Sequence, residues 1–170
     1  MNYVNEDVLT LDRVSISNML QKIGREEVIA EILAGLLKSP KAISSKYFYN
    51  RKGSLLFEEI TRLKEYYPSR TEKRILKKIA PNLMERYGTY EIIELGPGDH
   101  SKISILLNAT PESKQKEIRY LPLDISQSAI RNLAESLVAD FPRLHVEGYA
   151  VDFVSQFDPI SVKTFHNSAI

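Results

Sequence analysis

The second half of the chain alternates short apolar runs with helical patterns, and this alternation limits the folds open to it. Glu91–Leu95 is a short apolar run that ends in glycines, and Ile118–Ile125 and Leu144–Phe153 are two further runs of strand type. The segments between them carry apolar residues at helical spacing. Strands separated by helices run parallel and are joined by right-handed crossovers. We therefore predict a βαβαβ unit within residues 89–170.

The first half of the chain has a helical pattern instead. Apolar residues repeat at helical spacing over Val28–Leu37 and again over Ile75–Tyr87. Ser69–Glu72 has the S-x-x-E form of a capping box, which predicts a helix start, and Pro81 predicts a kink or a break. We therefore predict an α/β chain in which a helical region, residues 1–88, precedes a Rossmann-like half-sheet, the two belonging to one truncated domain.

The composition excludes several kinds of site. The 170 residues include no cysteine, which rules out disulfides, thiolate metal sites and cysteine nucleophiles. The histidines, His100, His145 and His166, have no metal-ligand spacing, so we expect no metal. A formal net charge of +1 gives no electrostatic reason to expect nucleic acid or membrane as a partner. Without an apolar run of about 18 residues or a signal-like N-terminus, a cytoplasmic protein is expected.

The loop after the first predicted strand narrows the function further. Gly96 and Gly98 follow Glu94 in an acidic-x-Gly-x-Gly pattern. Such a turn lets the backbone approach a ligand closely and points helix N-terminal N–H groups at it. Ser101 stands where a dinucleotide-binding loop has its third glycine, and the phosphate-loop pattern is absent. The loop by itself is weak evidence for a nucleotide cofactor.

Acidic residues also end the two later strands. Asp124 closes the second strand, where a carboxylate can accept hydrogen bonds from two ribose hydroxyls. Asp152 and Phe153 close the third, where the carboxylate could bind an adenine amine and the ring could cover adenine. Because the carboxyl ends of adjacent parallel strands meet at one edge of a sheet, we predict an adenosine site there. The alternatives are structural: Asp124 as part of a helix cap and Phe153 as part of the core.

With these residues assembled, the sequence resembles the S-adenosylmethionine-dependent methyltransferases. More narrowly, it resembles the histidine-specific N-alpha-methyltransferase family, whose best-known members make the trimethylhistidine precursor of ergothioneine. Fungal relatives in that family methylate a prenylated tryptophan. The resemblance runs over residues 40–153 and rests on Lys46–Tyr49, Gly53–Leu63, Glu65–Arg70, Glu94–Gly98 and Asp152–Phe153.

The resemblance implies a class I methyltransferase fold, S-adenosylmethionine as cofactor, and methyl transfer to the amino group of histidine or a related amino acid or amine. Lys102 would pair with the carboxylate at the amino-acid end of the cofactor, and Asp124 would hold the ribose. The residues that the resemblance assigns to cofactor binding are Glu94, Gly96, Gly98, Lys102, Asp124, Asp152 and Phe153.

Two tyrosines match family positions on the substrate and cofactor side, and the resemblance implies that Tyr49 and Tyr67 are catalytic. A phenol can hydrogen-bond an amine, and an aromatic face is a favourable neighbour for a sulfonium or ammonium group. From the residues alone, the alternative for both is packing between the helical segment and the sheet.

Members of this family are longer than this chain, so we expect an N-terminal fragment or a truncated form. The first predicted strand, Glu91–Leu95, is central in the usual methyltransferase order and would here become an edge. Pairing across that edge would make a homo-oligomer. Two other functions stay open: a nicotinamide-dependent oxidoreductase, which Ser101 and Asp152–Phe153 argue against, and a non-catalytic interaction domain.

Overall fold

The computed structural model describes residues 9–11, 13–21, 23–87 and 91–152 of the chain. Short loops join the helices and strands, and a single 3₁₀ turn covers Ser45–Phe48. In chain order the elements are β1 (Leu9–Leu11), β2 (Val14–Asn18), α1 (Arg25–Leu36), α2 (Arg51–Arg62), α3 (Tyr67–Tyr87), β3 (Glu91–Leu95), α4 (Ser101–Asn108), α5 (Glu112–Gln115), β4 (Arg119–Asp124), α6 (Gln127–Asp140) and β5 (His145–Ala150).

One sheet of five strands organises this part of the chain, in the order β1-β2-β5-β4-β3. The four strands from β2 to β3 run parallel, and β1 pairs antiparallel with β2. The predicted βαβαβ unit is confirmed as β3-α4-β4-α6-β5, with strands slightly shorter than the sequence pattern suggested. Within the described residues β3 is an edge strand, as the sequence predicts.

The region before residue 25 differs from the helical prediction, because β1 and β2 lie there and belong to the sheet. Val14 and Ile16 are buried and alternate with Ser15 and Ser17, which is the period-two pattern of a strand. Parallel pairing with β5, from Val14 beside Val146 to Asn18 beside Ala150, holds β2 in place. A helix was the wrong expectation here because the apolar side chains recur every second residue.

Helix α3 begins two residues before the predicted capping box and runs without a break through Pro81. Pro68 lies in its first turn, where the missing N–H of proline would have no helical partner in any case. The guanidinium of Arg70 donates to the carbonyls of Leu63, at 2.7 Å, and Lys64, just after the end of α2. The turn between the two helices, rather than a side-chain cap at Ser69, therefore fixes the start of α3.

The main core lies between one face of the sheet and helices α4 and α6. Ile92, Tyr120, Val146 and Val14 form one row across β3, β4, β5 and β2, and their side chains share this face. The buried residues that fill the space above the row come from both helices: Ile103, Leu107, Ile130, Leu133 and Leu137. Met84 of α3 joins the same cluster, since α3 packs against α4.

The opposite face of the sheet has a smaller apolar cluster. Leu121, Leu123, Tyr149 and Val151 are buried there, with Met19 packed against them. Towards the β3 edge the burial decreases, and Leu95 is 48% exposed. Many apolar side chains of α1 and α2 also face solvent, among them Ile29, Leu33, Leu55, Leu56 and Ile60.

In the part of the chain that the structure describes, no helix is long and apolar enough to cross a membrane.

A substitution at Gly148 of β5 tests how closely α6 packs on the sheet. A Cβ atom added there would lie 2.4 Å from Cγ2 of the buried Ile130. We expect Gly148→Ala to lower the free energy of unfolding by about 2–3 kcal/mol, measured by urea titration, because overpacking forces the helix and strand apart. In the control Gly24→Ala, the added Cβ meets nothing closer than 3.9 Å, and we expect a loss of at most about 0.5–1 kcal/mol, because Gly24 is the N-cap of α1 and alanine is less favourable there. Equal effects of the two substitutions would contradict this packing.

Candidate functional site

The glycine loop, residues 96–100, joins β3 to α4 at the carboxyl end of the sheet. Gly96 and Gly98 have φ values of 60° and 66°, in the left-handed region that favours glycine. The amide of Gly96 donates to the carbonyl of Leu123 at 2.8 Å, which fixes the loop against the end of β4. A Cβ atom added at either glycine would meet no atom within 4 Å, so the space in front of the loop is open.

Asp99 and Ser101 form hydrogen bonds with each other at the N-terminus of α4, where the glycine loop ends. The Asp99 carboxylate accepts a hydrogen bond from the amide of Ser101 at 3.0 Å and another from its hydroxyl. Burial alone would raise the pKa of Asp99, but the two hydrogen bonds from Ser101, together with the electrostatic effects of Lys73 and His100, lower it below its ordinary value. One N-terminal N–H of α4 is thus engaged by the chain itself, and the negative charge of Asp99 is directed at Ser101.

Lys102 lies at the start of α4 between two carboxylates. Its Nζ is 3.0 Å from Oε1 of Glu94 on β3 and 3.5 Å from Oε1 of Glu72 on α3. Burial alone would lower the pKa of Lys102, but the two carboxylates raise it above its ordinary value, so the side chain is a cation. With 23% of its side chain exposed, Lys102 is half-buried in the first turn of α4, which follows the glycine loop.

Tyr120 is a residue of the site that the sequence reasoning missed. It is fully buried on β4, and its phenol donates to Oε2 of Glu94 at 2.7 Å. Burial raises the pKa of Tyr120, and the Glu94 carboxylate raises it further, so the phenol keeps its proton. The available signal was a tyrosine in an otherwise aliphatic buried strand, because a buried hydroxyl needs a hydrogen-bond partner.

Asp124 ends β4 at the same edge of the sheet. Its Oδ1 accepts from the amide of Ser126 at 2.8 Å, and the Ser126 hydroxyl in turn caps α6 by accepting from the amide of Ala129. Asp124 therefore does support the cap of α6 through Ser126, as the structural alternative predicts. Burial raises the pKa of Asp124, and its backbone hydrogen bonds offset only part of this effect. A carboxyl group whose pKa is raised by burial is common at functional sites.

Asp152 lies two residues beyond the end of β5, beside the end of β4. Ala150 pairs with Asp124, and the amide of Val151 donates to the Asp124 carbonyl at 2.8 Å, so the two strand ends are joined. The negative charge of Asp152 also helps to raise the pKa of Lys46, after the larger effect of Glu31. The 3₁₀ turn that carries Lys46 therefore lies within electrostatic reach of this strand end. Phe153 lies outside the described residues.

The two tyrosines predicted to be catalytic lie in the helical region, Tyr49 directly after the 3₁₀ turn and Tyr67 at the start of α3. The Tyr49 ring meets Phe57 edge-on at 6.2 Å, and Phe57 meets Tyr66 at 6.0 Å. Tyr67 begins α3 and is 67% exposed. Among the residues that the structure describes, neither phenol is hydrogen-bonded to the glycine loop. The catalytic roles of Tyr49 and Tyr67 stay predictions.

The geometry brings the other described site residues together. Glu94, Gly96, Gly98 and Lys102 form a continuous group at the end of β3, and Asp124 and Asp152 follow the neighbouring strands β4 and β5. A glycine loop and acidic residues at the carboxyl ends of adjacent parallel strands are typical of α/β proteins that bind a nucleotide cofactor. The half-buried cation beside the loop adds a partner for an anionic group.

Comparison with known proteins shows to which family of nucleotide-cofactor-binding α/β proteins the chain is similar. The family described as "Histidine-specific methyltransferase, SAM-dependent" matches residues 28–169. Histidine N-alpha-methyltransferase of Mycolicibacterium smegmatis is 33% identical over 141 residues, which cover 82% of this chain and 44% of the relative. The enzyme of that name from Mycobacterium tuberculosis is 32% identical over 142 residues, 83% of this chain and 44% of the relative. The chain belongs to the histidine-specific, S-adenosylmethionine-dependent methyltransferase family.

A fungal relative extends the comparison to another named substrate. The 4-dimethylallyltryptophan N-methyltransferase of Trichophyton verrucosum is 28% identical over 116 residues, which cover 68% of this chain and 34% of the relative. The chain spans less than half the length of each of these three relatives.

The raised pKa of Asp124 predicts a stability effect with a definite sign. The folded chain holds this proton to higher pH than the unfolded chain, so stability falls as pH rises from the ordinary value of 3.8 through the folded-state pKa. Asp124→Asn removes this cost, and we expect a melting temperature at pH 7 that is higher by roughly 1–3 °C. The gain should shrink towards pH 3.8.

Glu135→Gln is the matched control, since Glu135 is exposed on α6 and the change also removes one carboxylate. We expect no change in its melting temperature at either pH. A melting temperature of Asp124→Asn below that of the unchanged chain at pH 7 would contradict the assignment.

Proposed function

We propose that this chain forms the cofactor-binding part of an S-adenosylmethionine-dependent amino-acid N-methyltransferase. The observation that carries the proposal is the half-buried Lys102 ammonium group, 3.0 Å from Glu94 and next to a glycine loop with open space in front of it. A dinucleotide offers a pyrophosphate to such a loop, whereas S-adenosylmethionine offers an amino-acid carboxylate, for which one lysine is a suitable partner.

The chemistry of the donor set fits the parts of this cofactor. Lys102 would bind the carboxylate of the amino-acid end, and the acidic Glu94 stands close to where its ammonium group would lie. Asp124, at the end of β4, would accept hydrogen bonds from the ribose hydroxyls. Asp152, with Phe153 after it in the sequence, would bind adenine. The small residues Gly96 and Gly98 leave room for the ligand, since a side chain at either position would occupy the open space.

The bound cofactor would supply a methyl group that its sulfonium already activates, so the protein has to align the acceptor nitrogen rather than generate a reactive group. The acceptor amine must be neutral to attack, and an oxygen that accepts its hydrogen bond helps to hold it in line. Tyr49 and Tyr67 are the proposed contributors from this chain, and both residues are exposed.

We propose the α-amino group of histidine as the acceptor, on the strength of the family and the two mycobacterial relatives named for that reaction. The Trichophyton relative, named for a prenylated tryptophan, makes another amino-acid amine the second candidate. The residues that select the acceptor side chain are proposed to correspond to the part of these relatives that the chain does not cover. Cofactor binding is therefore the property to test on this chain.

Titration calorimetry with S-adenosylhomocysteine, the demethylated form of the cofactor, tests the proposal. We expect binding, and we expect Lys102→Met to weaken it roughly tenfold or more, because a charge-assisted hydrogen bond to the ligand carboxylate is lost. The control Lys114→Met removes an exposed lysine from α5 and should leave the affinity unchanged.

Two results of the titration would contradict the site. One is unchanged affinity after Gly98→Val and Asp124→Ala are combined, since these changes fill the loop and remove the proposed ribose partner. The other is a folded chain that binds no S-adenosylhomocysteine, which favours a non-catalytic interaction domain. NADH binding would instead favour an oxidoreductase.

The exposed edge of the described sheet supports a second proposal, which concerns the oligomeric state of the chain. β3 is an edge strand of the described sheet, and its Ile93 and Leu95 are partly exposed on one face. An apolar edge strand with unpaired backbone groups is a template for a further strand. For this chain by itself, we propose a second copy as the partner at that edge.

Light scattering tests this pairing. We expect a mass of twice 19.4 kDa at high protein concentration, and the monomer mass for Ile93→Glu, because a carboxylate would be desolvated in the paired edge. The control Leu37→Glu places the same charge on a highly exposed residue after α1 and should leave the mass unchanged. A monomer at every concentration, with cooperative unfolding, would contradict pairing across β3.

A further inference from the structure

The buried phenol of Tyr120 has a single hydrogen-bond partner among the described residues, and this partner is a residue of the proposed cofactor site. Tyr120 is fully buried on β4, next to the edge strand β3, and packs in the same core cluster as residues of α4 and α6. Its hydroxyl donates to Oε2 of Glu94 at 2.7 Å, between neighbouring strands. A buried tyrosine hydroxyl needs such a partner, and this contact joins the core to the end of β3, just before the glycine loop.

The two oxygens of Glu94 have different partners. Oε2 accepts from Tyr120, and Oε1 lies 3.0 Å from Nζ of Lys102. With 18% of its side chain exposed, Glu94 is the more buried of the two carboxylates that face Lys102; Glu72 is 53% exposed and lies farther away, at 3.5 Å. Glu94 therefore decides how firmly the protein itself holds the Lys102 ammonium group.

A hydrogen bond from a phenol changes a carboxylate in two ways. It fixes the orientation of the carboxylate plane, and it withdraws negative charge from it, which weakens its attraction for a neighbouring cation. Without the phenol, Glu94 could rotate and present both oxygens to Lys102 with its full charge. Lys102 would then be less available to the carboxylate of a ligand, because the two anions compete for the same three N–H donors.

We infer that Tyr120 is a positioning residue for the amino-acid end of the cofactor: by holding one oxygen of Glu94, it leaves Lys102 free to bind the ligand carboxylate. The inference rests on the proposed function, and it assigns to a core residue of β4 a share in ligand affinity. Tyr120 acts through Glu94 and Lys102 and has no proposed contact with the reacting groups.

Two ligands separate this role from a general effect on the fold. S-adenosylhomocysteine carries both the adenosine part and the amino-acid tail, whereas 5′-methylthioadenosine has the adenosine part and lacks the tail. Asp124 and Asp152, at the ends of β4 and β5, are the proposed partners of the shared part. A positioning effect on Lys102 should therefore lower the affinity for S-adenosylhomocysteine and leave the affinity for 5′-methylthioadenosine unchanged.

The experiment is calorimetric titration of the Tyr120→Phe chain with both ligands, together with its melting temperature. We expect S-adenosylhomocysteine to bind roughly three- to tenfold more weakly than to the unchanged chain, as a single charge-assisted hydrogen bond is altered. The affinity for 5′-methylthioadenosine should stay within about twofold. Equal loss for both ligands, or no loss for either, would overturn the inference.

Tyr149→Phe is the matched control, because it removes the same atom from the same sheet. Tyr149 is buried on β5, on the opposite face, and its phenol donates to Glu147 rather than to a site residue. We expect the ratio of the two affinities to stay at its original value. A change in this ratio as large as that of Tyr120→Phe would mean that loss of any core hydroxyl is sufficient.

Glu94→Gln shows whether the effect passes through Glu94. The glutamine amide can still accept from Tyr120 but no longer attracts Lys102 with a full charge. We expect Tyr120→Phe to have no further effect on S-adenosylhomocysteine affinity in this background, and an unchanged three- to tenfold loss would overturn the proposed route. If the unchanged chain binds neither ligand, the proposed function itself fails; if it binds both and the Tyr120→Phe ratio does not change, the inference on Tyr120 alone fails.

Discussion

Parallel pairing of β3, β4 and β5 is the constraint on which the site depends. Each strand ends at the same edge of the sheet, and Leu95, Leu123 and Tyr149 lie side by side one step before that edge. The Gly96 amide then bonds to the Leu123 carbonyl, and the Val151 amide bonds to the Asp124 carbonyl. These backbone contacts bring a glycine loop and two acidic residues together from segments far apart in the sequence. A shift of one residue in the register of β3 against β4 would place Glu94 and Tyr120 on opposite faces of the sheet.

The charged groups near the loop already have partners within the protein. Lys102 is held by Glu94 and Glu72, the Asp99 carboxylate is bound by Ser101, and Asp124 accepts from Ser126. A ligand carboxylate would thus exchange one ion pair of Lys102 for another rather than meet an unpaired cation. This exchange limits the net gain in free energy, because a charged group that is already paired gains less from a new partner. The affinity for a ligand carboxylate therefore depends on how tightly Glu94 and Glu72 hold Lys102. Tyr120, which is hydrogen-bonded to Glu94, can influence that affinity.

The sequence predicted much of the fold and the place in the sheet where most of the candidate site residues lie. The period of the apolar residues indicated β3, β4, β5 and the helices between them, because these elements bury a continuous face. The glycine pattern and the acidic residues after each strand located Gly96, Gly98, Asp124 and Asp152 at one edge of the sheet. The position of β3 at the edge followed from the order of methyltransferase strands, and the structure confirms it within the described residues.

Contacts between distant segments account for what the sequence did not predict. β2 was overlooked although Val14 and Ile16 alternate with serines, since five residues of strand pattern gain their stability from pairing with β5. The link from Lys102 to Glu72 depends on how α3 packs against α4, and no local pattern specifies that. The contact of Tyr120 with Glu94 joins two strands whose registry only the folded sheet defines.

A structure of the chain with S-adenosylhomocysteine bound is the most direct test of the central claim. We predict that the ligand binds at the carboxyl ends of β3, β4 and β5, with its carboxylate on Lys102, its ribose on Asp124 and the Glu72 contact of Lys102 released. A ligand bound elsewhere on the chain, or one whose carboxylate points away from Lys102 while that residue keeps both of its acidic partners, would contradict it.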